Sequence, residues 1–334
     1  MKRLTDKALA RLRDSSDAPD LAGTRYRLLG QVARGGMGVV YSAEDAVLGR
    51  RVALKVLDLP GDQNDLAGRL RREARVLALL EHPGVVPVHD VGTLPDGRVF
   101  YAMKFVEGQS LDQCISAVTS TPDRLRMFLR VCDALAFAHA RNVLHRDLKP
   151  TNIMVGPFGE VLVMDWGLAK ILDHSEGSPS ENCGVAPPSM RVQFSGSNST
   201  QPPPVTAHGT VLGTPGYMSP EQERGDVGSL DARSDIFSLG AVLRFLVNAD
   251  SSLPDRSLEA ICGKATHPDP AQRYASVQDL AADVSRYLDG LAVAAHRESF
   301  FEKAARFYRR YRFFILLIAA YLIMRVLLLL LLKR

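Results

Sequence analysis

Apolar positions change their spacing several times along the chain. Between residues 26 and 106 they fall in short runs broken by turn residues: YRLLGQVARGG, GVVYSAED, RVALKVLDL, VVPVHDVG and RVFYAMKFV. Such runs predict strands, and the one helical pattern among them, GRLRREARVLALLEH, predicts a single helix. From residue 111 to 140, and again from 231 to 288, the spacing is helical, as in RLRMFLRVCDALAFAHA. A small β-rich lobe with one helix should therefore precede a helical lobe, an α+β architecture. Residues 173–209 hold seven Ser and six Pro with little periodicity and read as a loop or linker too polar to form a core. The last pattern, FFILLIAAYLIMRVLLLLLL at residues 313–332, is apolar apart from Arg325.

That final stretch is long enough to cross a bilayer, about 30 Å at 1.5 Å per residue. An arginine near its centre costs roughly 3 kcal/mol, while each Leu, Ile, Phe or Val returns roughly 0.3 to 0.6, so insertion is favoured in sum; Arg325 can also reach toward the nearer interface. A buried core helix is the alternative. Lys303, Arg306, Arg309, Arg310 and Arg312 precede the stretch and only Lys333 and Arg334 follow it, which keeps the amino-terminal part in the cytosol. The expected layout is an amino-terminal extension at 1–23, a domain at 24–290, a basic juxtamembrane segment at 291–312 and a transmembrane helix at 313–332. The chain would then sit in the cell membrane by a single pass, with its domain cytoplasmic and a short C-terminus outside. The opening MKRLTDKALARLRDSS is charged throughout and lacks the apolar centre of a signal peptide.

Charge excludes one class of partner. Net charge is +4, but residues 301–334 hold eight Lys/Arg against one acid, which leaves the rest of the chain on the acidic side. A nucleic-acid binder requires a basic domain face, so no nucleic-acid partner is expected. Cys114, Cys132, Cys183 and Cys262 show no metal-ligand or C-x-x-C spacing and read as ordinary thiols of a reducing compartment.

Three stretches carry candidate chemistry. In ARGGMGVVY, Gly35, Gly36 and Gly38 allow backbone N–H groups to approach phosphate oxygens, although the same turn serves a plain hairpin. A dinucleotide-binding fold would demand a helix directly afterwards, and here a strand follows. Lys55 ends the apolar run VALK, where a buried ammonium is costly without a counter-charge; the following helix offers Glu73 on the face opposite its arginines. The alternative is a lysine at the exposed end of a strand. In HRDLKPTN, Asp147 and Asn152 lie five apart, so that one can accept a hydroxyl proton while the other holds a metal, with Lys149 between them facing an anion. Such a loop is commonly only a turn. Asp165, thirteen residues after Asn152, supplies the second oxygen ligand that a magnesium–nucleotide site needs.

Taken in order, ARGGMGVVY, VALK, Glu73, HRDLKPTN, DWG, GTPGYMSPE and RSDIFSLG resemble the bacterial eukaryotic-like (Hanks-type) serine/threonine protein kinases over about residues 24–290. The resemblance implies a bilobal protein kinase fold, with an N-lobe at about 24–106 and a C-lobe at about 107–290. It also implies ATP and Mg²⁺ as cofactors, with Mn²⁺ as a substitute. Carried over residue by residue, Lys55 would pair with Glu73 and the α- and β-phosphates, Asp147 would be the catalytic base, Lys149 would steady the γ-phosphate, and Asn152 and Asp165 would bind the metal. Val32, Ala33, Gly35, Gly36 and Gly38 would form the loop over the phosphates. Val40, Ala53 and Met154 would sandwich the adenine, and Met103 would guard the hinge Lys104-Phe105-Val106. Glu221, Asp235 and Arg273 would be structural, with Glu221 and Arg273 as a buried ion pair.

The chain departs from the family pattern in four places. Ala33 stands where the first glycine of the phosphate loop is expected, which should stiffen that loop. Trp166 replaces the Phe of D-F-G; its indole N–H wants a partner, and the pocket beside Glu73, Leu77 and His145 should be roomier or more polar, either as a switch or simply as a core anchor. The activation segment carries the Ser/Pro-rich insert, with Thr206, Thr210 and Thr214 as candidate phosphate acceptors and Arg146 as their cationic partner, unless the insert only adds solubility. Finally, RSDIFSLGAVLRFLV leads almost at once to LEAICGKATHPDPAQRYAS, so a helix that helps dock protein substrates is missing. Two functions follow. One is a membrane-anchored serine/threonine kinase acting on itself, as a homodimer, or on protein substrates; the alternative is a membrane-tethered pseudokinase or nucleotide-binding scaffold.

Overall fold

The computed structural model describes residues 18–35, 38–57, 63–118, 120–171, 214–226, 230–249, 255–296 and 311–325. Its first lobe is an antiparallel five-stranded sheet. The strands are β1 (Tyr26–Gly35), β2 (Gly38–Asp45), β3 (Arg50–Val56), β4 (Val88–Thr93) and β5 (Val99–Lys104), in the spatial order β1-β2-β3-β5-β4. One face of the sheet closes over a small core of Tyr26, Tyr41, Leu54 and Phe100; the other meets helix α1 (Gln63–Leu79). In α1 the period-3.6 pattern buries Leu70, Glu73, Ala74 and Leu77 and leaves Arg69, Arg71, Arg72 and Arg75 outward, as the sequence predicts.

The second lobe is helical. Short pieces α2 (Leu111–Cys114) and a 3₁₀ turn precede α3 (Thr121–Ala140), which starts afresh at Pro122, a residue suited to a first helical turn. The periodicity from 111 to 140 therefore resolves into a break rather than one helix. Then come β6 (Gln109–Ser110) paired with β8 (Ile153–Val155), itself paired with β9 (Val161–Val163), and β7 (Val143–Leu144) paired with β10 (Lys170–Ile171). Helices α4 (Pro220–Glu223), α5 (Ala232–Asn248), α6 (Arg256–Ala265) and α7 (Val277–Leu288) complete the lobe. Asp231, Asp255 and Ser276 cap the last three by accepting N–H bonds from the first turn.

A single large core joins the lobes, running from Ala53, Leu77 and Met103 through Phe128, Leu135 and Trp166 to Ile236 and Val284. The lobes are also stitched by backbone: the Val163 N–H donates to the Gly84 carbonyl, and Val85 bridges Val163 in parallel. Packed structure extends past the expected domain limits at both ends. Arg98 bonds the Ala18 carbonyl and Leu21 packs on the sheet, while Asp283 accepts the N–H groups of Ala294 and Ala295 at 2.6 and 2.9 Å.

Residues 311–325 are helical, with Phe313, Leu317 and Ile323 more than half exposed. Among the described residues no helix is long and apolar enough to cross a membrane. The stretch expected to span, 313–332, continues past that helix, and residues 326–332 lie outside the described residues, as do Gly36, Thr206, Thr210 and the insert 173–209.

Candidate active site

Two strand partners build the upper wall. The β3–β5 register sets Ala53 opposite Met103 and Lys55 opposite Tyr101, so alternate residues of both strands face the same cleft. Lys55 Nζ donates to Glu73 Oε1 and Oε2 at 2.8 and 2.9 Å and to Asp165 Oδ1 at 3.1 Å. Burial opposes the Lys55 ammonium, but the Glu73 and Asp165 carboxylates outweigh it and hold its pKa above the ordinary value. Burial would raise Asp165 in the same way, and Lys55 overrides it to leave that carboxyl below its ordinary range. Lys55 is thus no exposed strand end.

Gly35 and Gly38 pair across the end of the β1–β2 hairpin. Gly38 cannot carry a side chain: a Cβ there would stand 2.2 Å from the Val56 carbonyl oxygen. That close approach is the physical reason for one glycine of the motif. Ala33 sits opposite Val40 on the exposed rim of β1, and Val32 beside it is exposed too. Ala53 and Met103 are buried under the cleft, with Val40, Phe105 and Val106 packed against the same core; Met154 is half-buried on β8 and Lys104 is exposed.

The lower wall is one hydrogen-bonded loop. Lys149 Nζ donates to Asp147 Oδ2 at 2.9 Å and to Thr214 Oγ1 at 2.6 Å, while Thr214 Oγ1 donates to Asp147 Oδ1 at 3.0 Å. Asn152 Nδ2 donates to the Asp147 carbonyl at 2.8 Å, which directs its amide oxygen elsewhere. Thr214, read from the sequence as a candidate phosphate acceptor, therefore lies against Asp147 itself.

Backbone strain and a buried carboxylate hold this loop in shape. Arg146 and Asp165 both take left-handed φ angles, +70° and +55°, which non-glycine residues adopt only when their surroundings enforce it. Asp235, wholly buried on α5, accepts the N–H groups of His145 and Arg146 at 2.9 and 2.8 Å and the His139 ring at 2.8 Å. Burial alone would raise its pKa; the His139 bond and the nearby positive groups bring it below the ordinary value. The Arg146 Nε and Nη2 atoms are buried without a hydrogen-bond partner among the described residues, and burial lowers the pKa of that guanidinium.

Trp166 is 1 % exposed. Its Nε1–H donates to the Val163 carbonyl at 3.3 Å and its ring stands 4.7 Å from the His145 ring. His145 in turn donates from Nε2 to the Met164 carbonyl and accepts the Asp147 N–H at Nδ1. The pocket is polar at one edge, which is what an indole requires.

Beneath the loop, Arg273 and Glu221 form a two-pronged pair at 2.6 and 2.8 Å. The remaining Arg273 donors reach the carbonyls of His267, Arg233 and Pro268. Burial is the largest influence on Glu221 and opposes its charge, yet the Arg273 bonds prevail and lower its pKa from 4.5 to about 2. Sequence reading missed three members of this assembly: Tyr101 on Glu73, His139 on Asp235, and Gln222, whose side chain bonds the Arg146 carbonyl. Only Tyr101 left a sequence signal, its two-residue spacing from Met103 on a strand.

Comparison with known proteins agrees with this geometry. A family model described as "Protein kinase domain" matches residues 26–283. The serine/threonine-protein kinase PknD of Chlamydia abortus is 34% identical over 305 residues, covering 79% of this chain and 31% of its own. PknD of Chlamydia trachomatis is 36% identical over 307 residues, covering 80% and 32%. The chain thus spans about a third of the length of these curated relatives. The crystal structure of the Mycobacterium tuberculosis PknI kinase domain shares the fold at a TM-score of 0.54 and 24% identity, over 80% of this chain and 98% of that one. The chain belongs to the protein kinase family, among the serine/threonine kinases.

Proposed function

We propose that the chain transfers the γ-phosphate of ATP to serine or threonine hydroxyls, its own among them. The observation that carries this is the Thr214 hydroxyl donating to Asp147 Oδ1 while Lys149 donates to the same hydroxyl. An acceptor hydroxyl in that place would give its proton to Asp147 as it attacks phosphorus, and Lys149 would offset charge on the transferring group. Lys55, fixed by Glu73, would hold the α- and β-phosphates; Val40, Ala53, Met103 and Met154 would enclose the base.

The donor set suits Mg²⁺. Asn152 has its amide oxygen free of the Asp147 bond, and the Asp165 carboxylate is half exposed at 3.1 Å from Lys55. Hard oxygen atoms on two side chains are what this ion asks of a protein when phosphates and water complete its shell. When bound, it would neutralise charge on the phosphate oxygens. Arg146, whose buried Nε and Nη2 atoms have no hydrogen-bond partner among the described residues, supports phosphate-dependent ordering of the activation segment.

The test is incubation of the full chain with labelled ATP and Mg²⁺. Wild type should label on Ser or Thr, and Asp147→Asn should reduce the rate by about 10² to 10⁴ with the fold unchanged by circular dichroism. Equal labelling of both would refute the assignment of Asp147. Tight ATP binding without transfer would favour the scaffold reading, which the short α5–α6 connection supports.

For residues 313–332 we infer a single membrane span, with the kinase on the cytoplasmic side. The uncovered apolar side chains of helix 311–325 and the basic residues before it support this. The full chain should stay with membranes through a high-salt wash, since screening releases only a surface-bound basic helix; recovery in the wash would remove the span.

A further inference from the structure

A third group grips the Lys55–Glu73 pair. Tyr101 stands directly opposite Lys55 across the β3–β5 ladder, so both side chains leave the sheet on the face that α1 covers. The tyrosine is 2 % exposed, and its hydroxyl donates to Glu73 Oε1 at 2.9 Å, the oxygen that also accepts Lys55 at 2.8 Å. Lys55 Nζ lies 5.9 Å from the centre of the same ring. Among the described residues the Glu73 carboxylate meets two donor groups, Lys55 and Tyr101.

Those two donors are not equivalent. An ammonium has three N–H groups, and Lys55 already divides them between Glu73 and Asp165. Turning toward phosphate oxygens draws donors away from Glu73. Among the described residues the Tyr101 hydroxyl bonds Glu73 alone, and burial raises the pKa of the phenol well above its ordinary value. A phenylalanine would fill the same space without a polar atom to satisfy, so packing does not explain the hydroxyl.

We propose that Tyr101 is a positioning residue for phosphoryl transfer: its hydroxyl fixes Glu73, and with it α1, while Lys55 is engaged with the nucleotide phosphates. The inference rests on reading the site as that of an active kinase. In the full chain, purified in detergent, Tyr101→Phe should lower kcat for autophosphorylation about tenfold and leave the KM for ATP within about twofold, the loss expected of one hydrogen bond to a charged group. On a Glu73→Gln background the same substitution should cost nothing further. An unchanged kcat, a loss confined to KM, or equal losses in both backgrounds would each show that the hydroxyl does not act through Glu73.

A second measurement does not need phosphate transfer. Amide hydrogen exchange across α1 in the full chain, followed by mass spectrometry, should quicken about threefold in Tyr101→Phe, because the hydroxyl that ties Glu73 to the sheet is gone. A wild type that transfers no phosphate would overturn the kinase reading. An unchanged exchange rate in α1 would overturn the tether itself, whatever the enzyme does.

Discussion

The cleft between the lobes and the far end of the helical lobe are built to different standards. In the cleft Lys55, Glu73, Tyr101 and Asp165 form one hydrogen-bonded group and Asp147, Lys149 and Asn152 a second, at distances between 2.8 and 3.3 Å. At the far end, α5 stops at Asn248 and α6 starts at Arg256, leaving a seven-residue connection. A groove of about 200 Å³ lined by Arg244, Val247, Asn248, Glu259 and Cys262 lies beside it. The contrast teaches that holding the candidate site and shaping the far surface fall to different parts of the chain.

What the far end must still do is close, and two contacts do it. Arg273→Ala should give the largest change. It strands the Glu221 carboxylate, 4 % exposed, and should cost about 3 to 5 kcal/mol in denaturant unfolding. The same pair predicts an acid dependence. Glu221 has its folded pKa lowered to about 2 from 4.5, so its stabilisation, about 3 kcal/mol, is complete above pH 4.5 and disappears as pH falls toward 2. The gap in stability between wild type and Arg273→Ala should narrow over that window. A gap that stays constant would mean that Glu221 is not the group released.

Gly240→Ala should have the smaller effect. Here α5 and α6 touch so closely that a Cβ would lie 2.6 Å from the Ala265 Cβ and 2.8 Å from the Thr266 methyl. Overpacking of this kind costs about 1 to 3 kcal/mol. Affinity for ATP and Mg²⁺, read by calorimetry, should hold if the cleft and the far end are independent. Weakened nucleotide binding would show that the α5–α6 contact supports Asp235 and, through it, the catalytic loop.

Much of this was legible in the chain. Strand and helix patterns placed the sheet, α1 and the C-lobe helices, because burial on one face imposes a period. The candidate site residues stood out for a different reason: the chemistry they would perform fixes residue type and spacing together. Trp166 found both a core position and a polar neighbour, as an indole must. Less could be read where function depends on contacts between distant segments. Nothing local marks His139 or Gln222 as supports of the catalytic loop, since their partners are 96 and 76 residues away. Thr214 was read as one of three candidate phosphate acceptors, without a place in the cleft, because its proximity to Asp147, 67 residues earlier, exists only after folding.

Trp166 has an optical consequence. It is the only tryptophan in the chain, so any indole emission comes from the residue beside Asp165. Buried and with its ring tilted against that of His145, it should emit as a shielded indole in the folded protein and shift to the red on exposure to water. Displacing the side chain from under α1 while the rest stays folded would produce the same red shift without loss of helical signal. The kinase therefore carries its own unlabelled reporter, placed one residue from a candidate metal ligand, and titrations that fill or distort the cleft can be followed by light alone.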